Sequence, residues 1–175
     1  LQIVKQNHFD VFLPIMSEKL LKALLKRKNE FEQHTKIPFA DYGLFKLLNN
    51  KLEVSRLLSE NGLPGPEIYR IDDDSQLDII KKKAVFPLII KPVSAEGAKG
   101  VQYIAGPADL GTYYESHREL YGPCLIQEFI RGTKYAAIFL VNRNSEPKRL
   151  FVHRAIREYP VSGGPTCFLE SVKYD

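Results

Sequence analysis

The chain has 175 residues, 44% of them hydrophobic, enough for one sizeable core or two small subdomains sharing a connected one. Its 25 Lys and Arg against 21 Asp and Glu leave a formal charge of +4. That balance names no partner, and the dense basic runs Lys26-Arg27-Lys28 and Lys81-Lys82-Lys83 read as solvated helix ends, which argues against a nucleic-acid binder.

Two cysteines, Cys124 and Cys167, make neither a disulfide framework nor a metal knuckle. No apolar run approaches the ~20 residues that span a bilayer. A reduced, cytoplasmic protein without membrane contact is expected, and a start at Leu1 instead of Met suggests a trimmed chain.

In chain order, Asp10-Val11-Phe12-Leu13-Pro14 is a short apolar run predicted as a buried strand. Ser17 offers an N-cap to a helix with Leu20, Leu21, Leu24 and Leu25 on one face. From His34 to Gly43, with Pro38 and Gly43 as breakers, a connection is predicted. Asn49 or Asn50 caps the next helix, and Gly62 stands where a C′ glycine belongs. Ile68-Tyr69-Arg70-Ile71 is a strand, Asp74 or Ser75 caps a short helix containing Leu77 and Ile80, and residues 86–92 and 101–105 are strands. Gly106-Pro107 opens a third helix. Residues 125–130, 135–142 and 149–159 are then strands, separated by Arg131-Gly132-Thr133 and the polar turn 143–147, which is hairpin chemistry. The joints fall near Asn49 and Arg131.

The local feature with most chemistry is Phe86-Pro87-Leu88-Ile89-Ile90-Lys91 followed by Ser94-Ala95-Glu96-Gly97-Ala98-Lys99-Gly100. An apolar strand ends in a lysine, and the loop of small residues lets backbone N–H groups approach phosphate oxygens, with Lys91 and Lys99 offsetting charge. An ordinary hairpin with an exposed lysine is the plainer reading, and the Walker A spacing is absent. Leu125-Ile126-Gln127-Glu128-Phe129-Ile130 has the form of a strand edging an adenine slot, its backbone reading the base while Gln127 or Glu128 reaches the amino group or ribose. The strand from Arg149 to Pro160 alternates Phe151, His153, Ala155 and Arg157 on one face with Val152, Arg154, Ile156 and Glu158 on the other. Behind it Ser162-Gly163-Gly164-Pro165-Thr166 is a second small-residue loop whose N–H groups suit an acidic ligand. His153 has no metal-spaced partner.

In this order the pieces resemble the ATP-grasp superfamily, in particular the carbamoyl phosphate synthetase-like carboxylate–amine ligases. Asn50-Lys51-Leu52 with Gly62-Leu63-Pro64-Gly65-Pro66 is similar to the family's lysine-led helix and its exit. Residues 86–101 are similar to its phosphate-covering hairpin, and Gln127-Glu128-Phe129-Ile130 before Gly132 to its adenine-reading hinge. The resemblance implies an α+β fold: the end of a Rossmann-like α/β pre-ATP-grasp domain over 1–48, nucleotide-binding subdomains over 49–130, and the start of the catalytic subdomain over 131–175, C-terminally incomplete. It implies an ATP-dependent ligase working through an acyl phosphate on a small carboxylate with an amine nucleophile, or else a non-catalytic ATP-binding regulatory or assembly module. Lys51, Lys91, Ser94, Glu96, Gly97, Lys99, Gly100, Gln127, Glu128, Phe129 and Ile130 would hold ATP, and Arg154 or Arg157 would orient the acid or the transferred phosphoryl group. Mg²⁺ ligands are expected beyond residue 175, leaving these residues inactive alone, and homodimerisation is left open. Thr133-Lys134-Tyr135 stands where the family places an acidic ribose contact.

Overall fold

The computed structural model describes residues 1–173 apart from Met16, Asp72, Asp74, Glu96, Gly97 and Ser162. The chain divides into two compact units, Leu1–Gly65 and Pro66–Asp175.

The first unit contains α1 (Gln2–Gln6), α2 (Glu18–Leu25), α3 (Lys28–Glu32), α4 (Tyr42–Leu48) and α5 (Lys51–Glu60). Of the predicted apolar face of α2, Leu24 and Leu25 are buried while Leu20 is exposed. Ser17 occupies the N-cap position without a side-chain cap bond. The predicted strand at 10–14 is reduced to an isolated parallel bridge, Val11 to Lys36, in which the N–H of Phe12 donates to the Lys36 carbonyl at 2.8 Å. One bridge satisfies few backbone groups, so no ladder propagates from it. Gly43, expected to break structure, lies inside α4, a position glycine tolerates at a modest entropic disadvantage. Asn50 caps α5, its side chain accepting from the N–H groups of Leu52 at 3.0 Å and Glu53 at 3.3 Å. The far end closes with Gly62 N–H on the Ser59 carbonyl and Leu63 N–H on the Leu58 carbonyl, with Gly62 at φ +64°. That is the Schellman arrangement, which needs a left-handed residue at Gly62.

The second unit opens with β1 (Ile68–Tyr69), α6 (Ser75–Lys83), β2 (Leu88–Pro92), β3 (Gln102–Ile104), a 3₁₀ turn at Pro107–Asp109, α7 (Leu110–Tyr121) and β4 (Cys124–Glu128). The strands form an antiparallel sheet in the order β1-β4-β2-β3. α6 and α7 cover one face, closing a core of Leu77, Ile80, Leu88, Ile90, Ile104, Leu110, Tyr114 and Ile126. Each such aliphatic side chain contributes about 1.5–3 kcal/mol by leaving water. Ahead of α6 the carboxylate of Asp73 accepts from the N–H of Ser75 at 2.8 Å. Asp74, offered as the cap from sequence, is outside the described residues, and Ser75 is the first helical residue.

A second antiparallel sheet follows, β5 (Tyr135–Val141), β6 (Pro147–Glu158) and β7 (Thr166–Ser171), in the order β5-β6-β7. The reversal between β5 and β6 is built on Asn142, whose side-chain oxygen accepts from Asn144 and Glu146 N–H groups, both at 3.0 Å. By contrast β4 and β5 belong to different sheets, so residues 131–133 link two layers and do not close the expected hairpin. Sequence reading also missed β7 and the short helices α1, α3 and α4. The cross-strand register places Ile138 opposite Phe151 and Phe139 opposite Leu150, on alternate faces. Ile138 and Phe139 are both more than half exposed, so this sheet is apolar on two sides.

Candidate functional site

Alternation in β2 decides which side chains are available. Leu88, Ile90 and Pro92 are buried on the helix side, leaving Ile89 and Lys91 on the other face. Register then adds their partners: Ile89 pairs with both Tyr103 and Gln127, Lys91 with Leu125, and Gln127 with Ile68. Lys91, Tyr103 and Gln127 therefore share the sheet face turned away from α6 and α7. Phe129 extends it, its ring meeting that of Tyr103 edge-on at 5.2 Å, and the Arg131 guanidinium lies 5.8 Å from the Phe129 ring.

Glu128 pairs with Leu88 and so points to the opposite face from Gln127. Its carboxylate accepts the N–H of Glu67 at 3.1 Å, tying β4 to the segment before β1. Tyr69 donates its hydroxyl to Glu67 at 2.9 Å. Burial, then this hydrogen bond and the neighbouring carboxylates, push the Tyr69 phenol up to about 12.

The small-residue loop joins β2 to β3. Its base is fixed on one side by Val93 N–H donating to the Pro123 carbonyl at 3.0 Å. On the other side Gly100 sits at φ +69°, and a Cβ there would lie 2.8 Å from the Pro92 ring and 3.1 Å from the Tyr121 ring. Ser94 and Lys99 are exposed between these anchors, while Glu96 and Gly97 fall outside the described residues.

Facing Tyr103 and the 129–134 link is the end of β6. Here the register slips, from Ala155 opposite Leu169 to Arg157 opposite Phe168, and again to Glu158 opposite Thr166. The predicted alternation holds up to Ala155 and breaks at Ile156, because a bulge inserts a residue without a partner. As a result five consecutive residues, Ala155 to Tyr159, border one open cleft of about 830 Å³ together with Tyr103, Phe129, Ile130, Gly132, Thr133 and Lys134. Lys134 and Glu158 form an ion pair within it. Arg157 lines the cleft and makes no ion pair with a described residue, whereas Arg154 binds Glu170 on β7 at 2.5 Å.

The second small-residue loop does not offer its N–H groups as expected. Gly163 and Gly164 donate to the Pro160 carbonyl at 3.2 and 2.9 Å, because Gly164 is pressed on the Tyr159–Pro160 backbone, where a Cβ would stand 2.0 Å from the Tyr159 oxygen. Ser162 is outside the described residues. In the first unit, Lys51 is half-buried at the first turn of α5, and burial lowers its ammonium pKa against the opposing pull of Glu18. Among the described residues no three His, Cys, Asp or Glu side chains gather to hold a metal ion. The carboxylate that lines the cleft, Glu158, is engaged with Lys134.

Sequence reading missed Tyr103, the Lys134–Glu158 pair and Cys167, which also borders the cleft. Tyr103 was within reach, since alternation through Gln102-Tyr103-Ile104 with Ile104 inward turns it outward. Among the described residues no helix is long and apolar enough to cross a membrane.

A family model described as an ATP-grasp domain matches residues 48–165. The D-alanine–D-alanine ligase of Neisseria meningitidis serogroup C is 32% identical over 75 residues, 43% of this chain and 25% of that protein. The carbamoyl-phosphate synthase of Methanobrevibacter smithii is 27% identical over 138 residues, 76% of this chain and 35% of that one. Among solved structures, a biotin carboxylase–β,γ-ATP complex from Campylobacter jejuni superposes with a TM-score of 0.71 at 12% identity, over 90% of this chain and 36% of its own. The chain thus spans about a quarter of the length of the ligase it matches.

Proposed function

The chain belongs to the ATP-grasp family, and from that premise we propose that the protein is an ATP-dependent carboxylate–amine ligase whose nucleotide lies along the Lys91 face of the β1-β4-β2-β3 sheet and in the adjoining cleft. In such a reaction a carboxylate oxygen attacks the γ-phosphorus of ATP, ADP leaves, and an amine then displaces phosphate from the acyl phosphate. Both steps depend on positioning and on stabilising negative charge.

The observation that carries the reading is the register that puts Lys91, Gln127 and Tyr103 on one sheet face. Lys91 would meet a phosphate, Gln127 and the Ile130 backbone the adenine edge, and Phe129 with Tyr103 the flat of the base. Ser94, Lys99 and Gly100, with Glu96 and Gly97 between them, would cover the triphosphate. The Glu128 side chain, held by Glu67, acts by fixing the hinge strand. Lys51 is proposed as a further phosphate contact on the likeness of Asn50-Lys51-Leu52 to the family's lysine-led helix. The parts 1–48, 49–130 and 131–175 remain our proposed division by role.

Lys91→Ala tests the site. Calorimetry with an ATP analogue should show binding weakened about tenfold or more, ~1.4 kcal/mol, as loss of a charge-assisted phosphate contact implies. Hydrogen exchange over residues 94–100 should slow when the analogue binds. Equal affinity of the two proteins would remove Lys91 from the site.

A further inference from the structure

The candidate arginines occupy different surroundings, and we infer that Arg157 alone anchors the anionic end of whatever occupies the cleft, while Arg154 holds β6 to β7. The inference rests on the nucleotide-and-acid reading of the cleft and sharpens it to one residue.

Lys134 and Glu158 neutralise one another, and the loop N–H groups of Gly163 and Gly164 are taken by the Pro160 carbonyl. Arg157 then leaves the lining with a net positive group. Tyr103, Phe129, Ile130 and Ile156 supply an apolar wall beside it. The occupant that suits this is a molecule with a flat or apolar body and an anionic end, which a planar guanidinium grips in bidentate fashion. Arg154 is unsuited to the role. Its guanidinium already pairs with Glu170 at 2.5 Å across the strand ladder. Beyond the bulge at Ile156, Arg157 lies opposite Phe168, which offers it no carboxylate, whereas Arg154 sits opposite Glu170.

Cys167 provides a reporter, because it borders the same cleft and its thiol donates to the Arg157 carbonyl at 3.4 Å. Alkylation at Cys167 by anionic iodoacetate, relative to neutral iodoacetamide, should fall about threefold in Arg157→Gln at low salt, the scale of one unscreened neighbouring charge. It should stay unchanged in Arg154→Gln. Cys124, resolved by peptide mass spectrometry, is the internal control. Calorimetry then identifies the anion. Arg157→Gln should weaken an ATP analogue if the guanidinium meets phosphate, or succinate if it meets a carboxylate, by about tenfold, with Arg157→Lys recovering part of the loss. Arg154→Gln should lower the melting temperature and leave both affinities in place. Wild-type affinity for both probes in Arg157→Gln, or equal losses in the two variants, overturns the inference. If Lys91→Ala loses the ATP analogue while Arg157→Gln keeps both probes, the nucleotide reading survives and this one falls. If the wild-type chain binds neither probe, the nucleotide reading falls and the alkylation ratio alone decides whether Arg157 governs the cleft.

Discussion

Gly100→Ala is the most direct test of how the loop after the lysine strand is built. Two separate penalties fall on the added methyl. The backbone at φ +69° is left-handed, which disfavours an L-residue by about 1–2 kcal/mol. The methyl would also stand 2.8 and 3.0 Å from the Pro92 ring and 3.1 Å from Tyr121, and overpacking of this kind costs about 1–3 kcal/mol. Tyr121 is 38% exposed and can swing aside, so the sum is taken as roughly 2–4 kcal/mol, a large part of the ~5–15 kcal/mol that holds a domain together. Gly106→Ala is the control, since Gly106 has φ −158° and nothing within 4 Å of its added Cβ. Urea unfolding with a slope of ~2 kcal/mol/M should place the Gly100→Ala midpoint about 1–2 M below wild type and leave Gly106→Ala within ~0.3 M. Coincident midpoints for the two variants would refute the claim that the loop is pinned at Gly100.

Gly164→Ala should be at least as damaging, because its Cβ meets backbone at 2.0 Å and backbone cannot rotate away; unfolding curves matching wild type would contradict the tight loop. Asn50→Ala should destabilise α5 by ~1 kcal/mol through loss of its two cap bonds, read as lost helicity on mild heating, with Asn50→Asp retaining the cap. For Tyr69, raised from 10.0 to about 12, the fold favours the neutral phenol. The stability this contributes is complete below pH ~10 and is lost as pH rises from there through about 12. Absorbance titration should show one late-ionising tyrosine, missing in Tyr69→Phe and ionising earlier in Glu67→Gln; a titration unchanged in Tyr69→Phe would count against that environment.

Much of α5 and of the first sheet was legible because their signals are local. Asn50 and Gly62 mark the ends of α5 through cap chemistry that acts over three or four residues, and alternation in Leu88-Ile89-Ile90-Lys91 already separates an inward from an outward face. Elements of five to seven residues such as α1, α3 and α4 complete too few turns to display a period. β7 was hidden for another reason: its residues are largely exposed and its pairing with β6 slips twice, so no clean alternation is imprinted on it. The partners that set the site's electrostatics are distant in sequence. Glu67 and Glu128 are 61 residues apart and Lys134 and Glu158 are 24 apart; only folding brings them together. The failed expectation for the Gly163-Gly164 loop has the same origin, since small residues announce close backbone approach without saying whether a ligand or the chain itself makes it.

The sheet of β5, β6 and β7 shows apolar side chains on both faces, and this has a consequence for how the chain behaves as a colloid. Its attraction for another copy acts at contact and is not screened by salt, whereas the repulsion from a formal charge of +4 reaches outward and is cut to ~10 Å by 0.1 M salt. Dilute buffer should therefore keep these chains dispersed, and moderate salt should drive them together through the bare sheet, with a sulfate precipitant stronger than chloride at equal ionic strength.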